Sequence, residues 1–250
     1  MRVTQAGFYN QASQQLGKQQ AKVFETQAQL SSGKNILKPS DDPALATAIN
    51  NLKSQIDVNQ RYLTNLERMQ DTLKMQESTV TSSVDVVARI KELSVQAAND
   101  TYNASDRKSI AIEVKELISS LTDLGNMRGT DGAYLFSGYS QGQAPFSESS
   151  AGVVTYTGST DVLKVMVDEG RSMQLGMPGS DIFGSVEHLD RSTGVTSRIE
   201  LFSTLSNMYE ALVTNNSDGI RNSLDKVTSV HEHIIAQQSN IGSRMKRVET

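Results

Sequence analysis

Residues 31–46 read SSGKNILKPSDDPALA. The chain has a regular helical pattern on both sides of this stretch, yet the stretch itself holds one glycine, two prolines and two adjacent aspartates. Proline fits the first position of a helix, because its missing N–H would have no intrahelical acceptor there. Acidic residues beside it favour the helix dipole. Asp42 or Ser40 is therefore expected to cap a new helix, with Pro43 at its first position and Asp41 adding negative charge. Gly33, Pro39 and this Ser40–Asp41–Asp42–Pro43 signal break the chain into two helices with different partners.

Upstream, Val3 to Leu30 reads as helix. Tyr9, Leu16, Val23 and Leu30 repeat every seven residues, while the interleaved Ala12, Gln19 and Thr26 are weak. No residue between Arg2 and Lys18 is charged. Gly7 and Gly17 each cost up to about 1 kcal/mol against alanine. Such a helix is marginal alone and is expected to order only against a partner surface. Its low charge lets it pack beside copies of itself.

Downstream the seam is stronger. Leu45, Ile49, Leu52, Ile56, Leu63, Leu66, Leu73, Val80, Val84 and Val87 fall on one 4-3-4-3 register, interrupted by Asn59, Gln70 and Glu77. Continued to Ala98, this helix would be about 80 Å long. A 3.5-residue period held that far predicts coiled-coil packing. Residues 99–105 read as a turn, and Ile110, Val114, Leu117, Leu121 and Leu124 mark a return helix stopped at Gly125.

The pattern then changes. Residues 129–139, GTDGAYLFSGY, suggest a hairpin with an Asp131-Gly132 turn. Val154/Tyr156 and Leu163/Val165/Val167 alternate at period two around residues 158–161. A β-rich outer insert is expected over 147–189. Helix resumes after Thr196, with Phe202, Leu205, Tyr209 and Leu212 on one stripe. The last helix opens at Ser217 and carries Ile220, Leu224, Val227, His231, Ile234, Gln238, Ile241, Met245 and Val248. Its seam should pack on the 43–98 helix. The seam is still running at Thr250, which predicts further chain beyond it. The fold class is mainly α: an elongated antiparallel helical bundle or coiled coil with a small β-rich insert. The segments are residues 1–40, a helix with its linker; 41–146 and 190–250, the two parts of the coiled-coil domain; and 147–189, the insert.

Composition agrees. Hydrophobic residues are 37% and aromatics 5%, with no tryptophan, which suits narrow helical seams better than a thick core. Net charge is −4 with signs interspersed. No Lys/Arg cluster tracks a phosphate backbone, which argues against nucleic acid. No run of about 18 apolar residues could span a membrane, and the N-terminus lacks a secretory h-region. With no cysteine there is no disulfide or thiolate chemistry.

No catalytic or metal-binding set emerges. His231 and His233 are two apart and point to different faces of a helix. Asp161, Asp168 and Asp181 lack any EF-hand spacing. The glycines at 129, 132, 138 and 142 match no phosphate loop. The aromatics of YLFSGY read as packing residues. No cofactor is expected, and the reading is of a non-enzyme.

QLSSGKNILKPSDDPALATA (29–48), ARIKELSVQAANDTYNASDRKSIAIEV (88–114) and GAYLFSGY (132–139) together resemble the flagellin superfamily of flagellar axial proteins. The first joins an inner-core helix to the long coiled-coil helix in that family, and the second is the turn into its return helix. Flagellin itself tends to carry Arg and Asn where this chain has Asn35 and Leu37, and a Phe-Asn-Gly pattern near residue 136. The Tyr-Leu-Phe-x-Gly form and MRVTQAGFY are similar instead to the hook-filament junction branch. The resemblance implies a structural subunit of the extracellular bacterial flagellum, exported unfolded through the flagellar secretion channel and folding on assembly. It implies ring assembly with copies of itself, contacts to a neighbouring hook-associated protein and to flagellin, an export chaperone, and a further C-terminal inner-core helix after residue 250. Tyr9, Leu16, Val23, Leu30, Leu45, Ile49, Leu52, Ile56, Leu63, Leu66, Ile220, Leu224, Val227, Ile234 and Ile241 are the expected assembly and packing residues. The alternatives are a flagellin filament subunit and a secreted binding module that uses the insert.

Overall fold

The computed structural model describes residues 2–149, 152–190 and 193–249, with side chains from residue 7 onward. Helix α1 (Arg2–Ser32) ends at Gly33, whose φ of 65° is the left-handed conformation that closes a helix. Helix α2 (Pro43–Ala97) runs 55 residues without a break. The chain divides into two units, Met1–Arg61 and Tyr62–Thr250. That boundary falls inside α2, 21 residues beyond residue 40, where the sequence changes character.

In the second unit α2 turns through residues 98–103 into α3 (Ala104–Gly125). Asn103 caps α3: its side-chain oxygen accepts from Ser105 N at 2.8 Å and Asp106 N at 3.0 Å, and Asp106 accepts back from Asn103 N at 3.2 Å. This is a capping box with aspartate in the returning position. Gly125 is not a left-handed stop. A side chain there would sit 2.7 Å from the Phe146 ring, so this glycine makes room for a core aromatic.

Among the described residues three antiparallel strand pairs follow: β1 (Phe146–Glu148) with β2 (Val154–Tyr156), β3 (Lys164–Asp168) with β4 (Arg171–Gln174), and β5 (Ser185–Leu189) with β6 (Thr196–Glu200). A short helix, α4 (Gly179–Phe183), precedes β5. Residues 158–161 are therefore not a hairpin turn, since β2 pairs backward and β3 forward. The 129–139 hairpin shrinks to a single bridge, Arg128 to Tyr134, around Gly132 at φ 79°. Helix resumes after Thr196, but not directly. Residues 196–200 pair with β5, Ile199 opposite Val186, and α5 (Leu201–Val213) starts afterwards. Helix α6 (Ser217–Glu249) ends the described chain.

Helix α6 runs antiparallel to the second half of α2. Gln70, Thr81 and Asp100 bond Glu249, Gln238 and Arg221 in turn. The buried α2 line is Met69, Leu73, Gln76, Val80, Ser83, Val87, Ile90, Ser94 and Ala97. The residues at 73, 80 and 87 match the sequence seam, but the companions are 69, 76 and 83, not 70, 77 and 84. On α6 the buried line is Ile220, Ser223, Val227, Val230, Ile234 and Ile241. Leu224 is half-buried and His231 lies beside the seam. Both helices thus shift by one position to a side carrying polar residues, and those residues are satisfied. Ser83 and Ser94 donate to carbonyls of their own helix at 2.9 and 2.7 Å.

The expected outer insert is not separable from the helices. Phe146 lies 5.2–5.5 Å from the rings of Tyr156, Phe183 and Phe202, and Phe183 lies 5.4 Å from Phe136. Turn, insert and α5 therefore share one aromatic centre. The buried apolar residues of α2, α3, α5, α6 and the insert form one continuous core.

Candidate assembly surface

The linker at 33–42 is braced. Asp41 accepts from Lys38 N at 2.9 Å and Leu37 N at 3.3 Å, and Gln29 donates to Asn35 O at 2.9 Å. Asp42 accepts from Leu45 N at 3.0 Å and so caps α2, with Pro43 at the first helical position. Asp41 thus serves the linker and not the helix start, and Ser40 makes no described bond there. This joint presents two helices whose apolar positions are uncovered. Tyr9, Leu16, Val23, Leu30, Leu45, Leu52 and Ile56 are all exposed, Leu30 by 85% and Leu52 by 59%, and Ile49 is half-buried. Leu63, the first seam residue of the second unit, is also exposed, and Leu66 is half-buried. The 45–63 part of the expected seam is therefore not buried. Large side chains of this kind gain about 1.5–3 kcal/mol each on full burial. A run of them exposed in series marks an interaction surface.

Amide side chains hold the second unit's insert in place. Gln76, fully buried on α2, donates to Leu135 O at 2.8 Å and Met177 O at 2.9 Å and accepts from Met177 N at 3.0 Å. Asn126 likewise donates to Phe146 O and accepts from Phe146 N, both at 2.9 Å. Each amide acts as a one-residue strand partner, one for each side of the insert. Arg107, 4% exposed, donates to Ala97 O, Asn99 O, Asn215 Oδ1 and Ser217 Oγ. It joins the end of α2 to the α5–α6 turn, where Asn215 holds a left-handed φ of 52°. The last carbonyls of α2 favour its cation. Neither Gln76 nor Arg107 was found by sequence pattern, since both are polar residues at positions that pattern reading assigns to surface.

The histidines and carboxylates do not converge on one site. His188 bonds Ser229 Oγ at 2.9 Å and His233 bonds the Asp181 carbonyl at 3.0 Å. His231 is half-buried on α6, and its pKa is pushed down by burial and by the nearby Lys91. Burial also pushes the Tyr156 hydroxyl up. Among the described residues, no group of three His, Asp or Glu side chains is placed to hold a metal, so Asp161, Asp168 and Asp181 form no such set. Among the described helices none is long and apolar enough to cross a membrane.

Residues 3–141 match the sequence profile described as the bacterial flagellin N-terminal helical region, which is more than half of the chain. Flagellar hook-associated protein 3 of Escherichia coli (strain K12) is 28% identical, over 97% of this chain and 82% of its own length. The flagellar filament 33 kDa core protein of Treponema phagedenis is 31% identical, over 51% of this chain and 44% of its own. The crystal structure of flagellar hook-associated protein-3 from Legionella pneumophila superposes with a TM-score of 0.71 at 16% identity, over 80% of this chain and 92% of that one; it shares the fold. Long helices with uncovered seams, the linker signal at 29–48 and the matched profile agree: the chain belongs to the flagellin family.

Proposed function

We propose that this chain is a structural subunit of the bacterial flagellum that joins hook-side proteins to the filament. The extent of the similarity carries the reading. The hook-associated relative aligns over 97% of this chain, whereas the filament relative aligns over 51%. The chain acts by assembly and not by catalysis, which fits the dispersed histidines and carboxylates. Its extracellular, flagellar location follows from the same role.

Residues 1–40 form the inner-core helix and linker, 41–146 and 190–250 the coiled-coil domain, and 147–189 its outer part. Tyr9, Leu16, Val23, Leu30, Leu45, Leu52 and Ile56 are the seam that neighbouring subunits cover. Ile220, Leu224, Val227, Ile234 and Ile241 hold the subunit itself together. An uncovered seam on weak helix suits export in an unfolded state, with an export chaperone shielding it, followed by ordering at the assembly site. Partners are copies of the chain in a ring, a hook-associated protein on one side and flagellin on the other.

Deletion of the gene tests this. Hooks should assemble while filament subunits leak into the medium, and the complementing protein should be present in few copies per flagellum. Full filaments on the hooks of the deletion strain would overturn the reading.

A further inference from the structure

The second unit contains a cleft of about 270 Å³ between the start of its α2 segment, the 129–138 turn and residues 162–177. Its floor is apolar: Met75, Leu135, Leu163 and Leu175. On its rim Arg68 and Asp131 pair at 2.9 Å. Glu67 and Asp71, one helical turn apart on that rim, make no described ion pair or side-chain hydrogen bond. The volume is below the roughly 300–1,000 Å³ of a small-molecule site, and its form suits a side-chain anchor from another protein surface. An occupant should offer an aliphatic side chain flanked by cations.

This chain carries such a segment. Lys34-Asn-Ile-Leu-Lys38 lies in the braced linker. Leu37 is 38% exposed there, and Lys34 and Lys38 are exposed with no described partner for either ammonium. The Asp41 and Gln29 bonds hold the segment in one conformation before contact, which lowers the ordering cost of docking. We propose that the 34–38 segment of one copy docks in this cleft of the next copy, Leu37 on the apolar floor and the two lysines against Glu67 and Asp71. The two surfaces differ, so the contact is head-to-tail, and such contacts close into a ring when the rotation allows. The inference rests on the junction-subunit reading and supplies its lateral contact.

The chain has no cysteine, so single-cysteine variants report directly. Flagella would be isolated from cells that co-express Leu37→Cys and Met75→Cys, with Glu67→Cys as an exposed rim alternative in case Met75→Cys fails to fold, and then oxidised with copper phenanthroline. A cross-linked dimer is expected in the mixture and not when Leu37→Cys is combined with Ile112→Cys on α3. Glu67→Lys with Asp71→Lys should abolish the cross-link at least tenfold, and adding Lys34→Glu with Lys38→Glu should restore it. Equal cross-linking at residue 112, or failure of the charge swap, overturns the proposal. If wild-type chain is present in flagella but no 37–75 or 37–67 cross-link forms, this inference alone falls. If wild-type chain is absent from flagella, the junction reading falls with it.

Discussion

One helix shows the chain's two kinds of apolar surface. Over residues 45–63 of α2 the leucines and isoleucines are exposed or half-exposed, and over 69–97 the seam is closed. The chemistry of the two stretches is close, and their fates differ because of what surrounds them. The second stretch has α3, α6 and the aromatic centre of Phe136, Phe146, Phe183 and Phe202 against it. The first, apart from Leu63, belongs to a unit whose other helix, α1, is itself exposed along its length. A heptad pattern therefore specifies that a helix will be covered, and leaves open whether its own chain or a neighbouring subunit covers it. In this chain, burial of the second seam holds the second unit together, and the first stays exposed, as the proposed assembly role requires.

The largest test of that contrast places one charge on each seam. Val80 is 0% exposed, so Val80→Asp buries a carboxylate without a partner and should cost about 3–5 kcal/mol or more. Leu52→Asp should change the stability of the isolated chain by no more than about 0.5 kcal/mol, as surface substitutions do. It should nevertheless abolish incorporation into flagella. Urea denaturation of both variants and immunoblots of isolated flagella give the two readouts. A comparable stability loss for Leu52→Asp would mean that the first seam is covered within the chain after all.

Both seams were legible in the sequence because apolar residues at seven-residue spacing, such as Leu73, Val80 and Val87, need only helical geometry to be read. The capping of α2 by Asp42 was legible for the same local reason, although the pattern left Ser40 as an equal choice. The positions at 69, 76 and 83 were not legible. Gln76 is buried because the backbone of residue 177 comes to it from 101 positions away, and no local signal announces that partner. The insert was misjudged on the same ground. Its alternating valines show strands, but only the long-range ring contacts of Phe146 and Phe183 show that those strands are part of the helical core. Of the candidate assembly surface, the weak seam over 3–30 could be read as needing a partner, whereas the 45–63 seam read as one with the seam that α6 covers. The cleft beside Glu67 and Asp71 could not be read, since it is built from three separated segments.

Gln76 sharpens the comparison from within the closed seam. Gln76→Leu keeps the volume and removes three hydrogen bonds, which leaves Met177 N, Met177 O and Leu135 O without their partner. Each buried unsatisfied group costs about 1–3 kcal/mol, and partial relaxation should hold the total to about 2–4 kcal/mol. Gln70→Leu is the control. Gln70 is half-buried and its bond to Glu249 is 3.5 Å long, so its loss should stay within about 0.5 kcal/mol. Chemical denaturation midpoints separate the two. Equal costs would show that the amide at 76 fills space and does not pin the insert to α2.

The smallest effect concerns protons at the edge of that same seam. Burial lowers the pKa of His231, and Lys91 on α2 lowers it further, while Glu232 opposes both. A histidine whose folded pKa lies below its unfolded value binds its proton more readily in the unfolded chain. The neutral ring is therefore compatible with the full stability of the second unit above the unfolded pKa of about 6.5. As the pH falls below that value, and through the depressed folded pKa, stability is lost. His231→Gln removes the proton site and should flatten this dependence. Thermal melts at about pH 8 and about pH 5 span the titration range of histidine. Wild type should lose more in melting temperature between them than the variant. His231 is the one site that differs between the two proteins, so the difference in pH dependence reports on residue 231. Equal losses would show that His231 binds its proton equally well in the folded and unfolded chain, and that its burial beside the seam does not couple to stability.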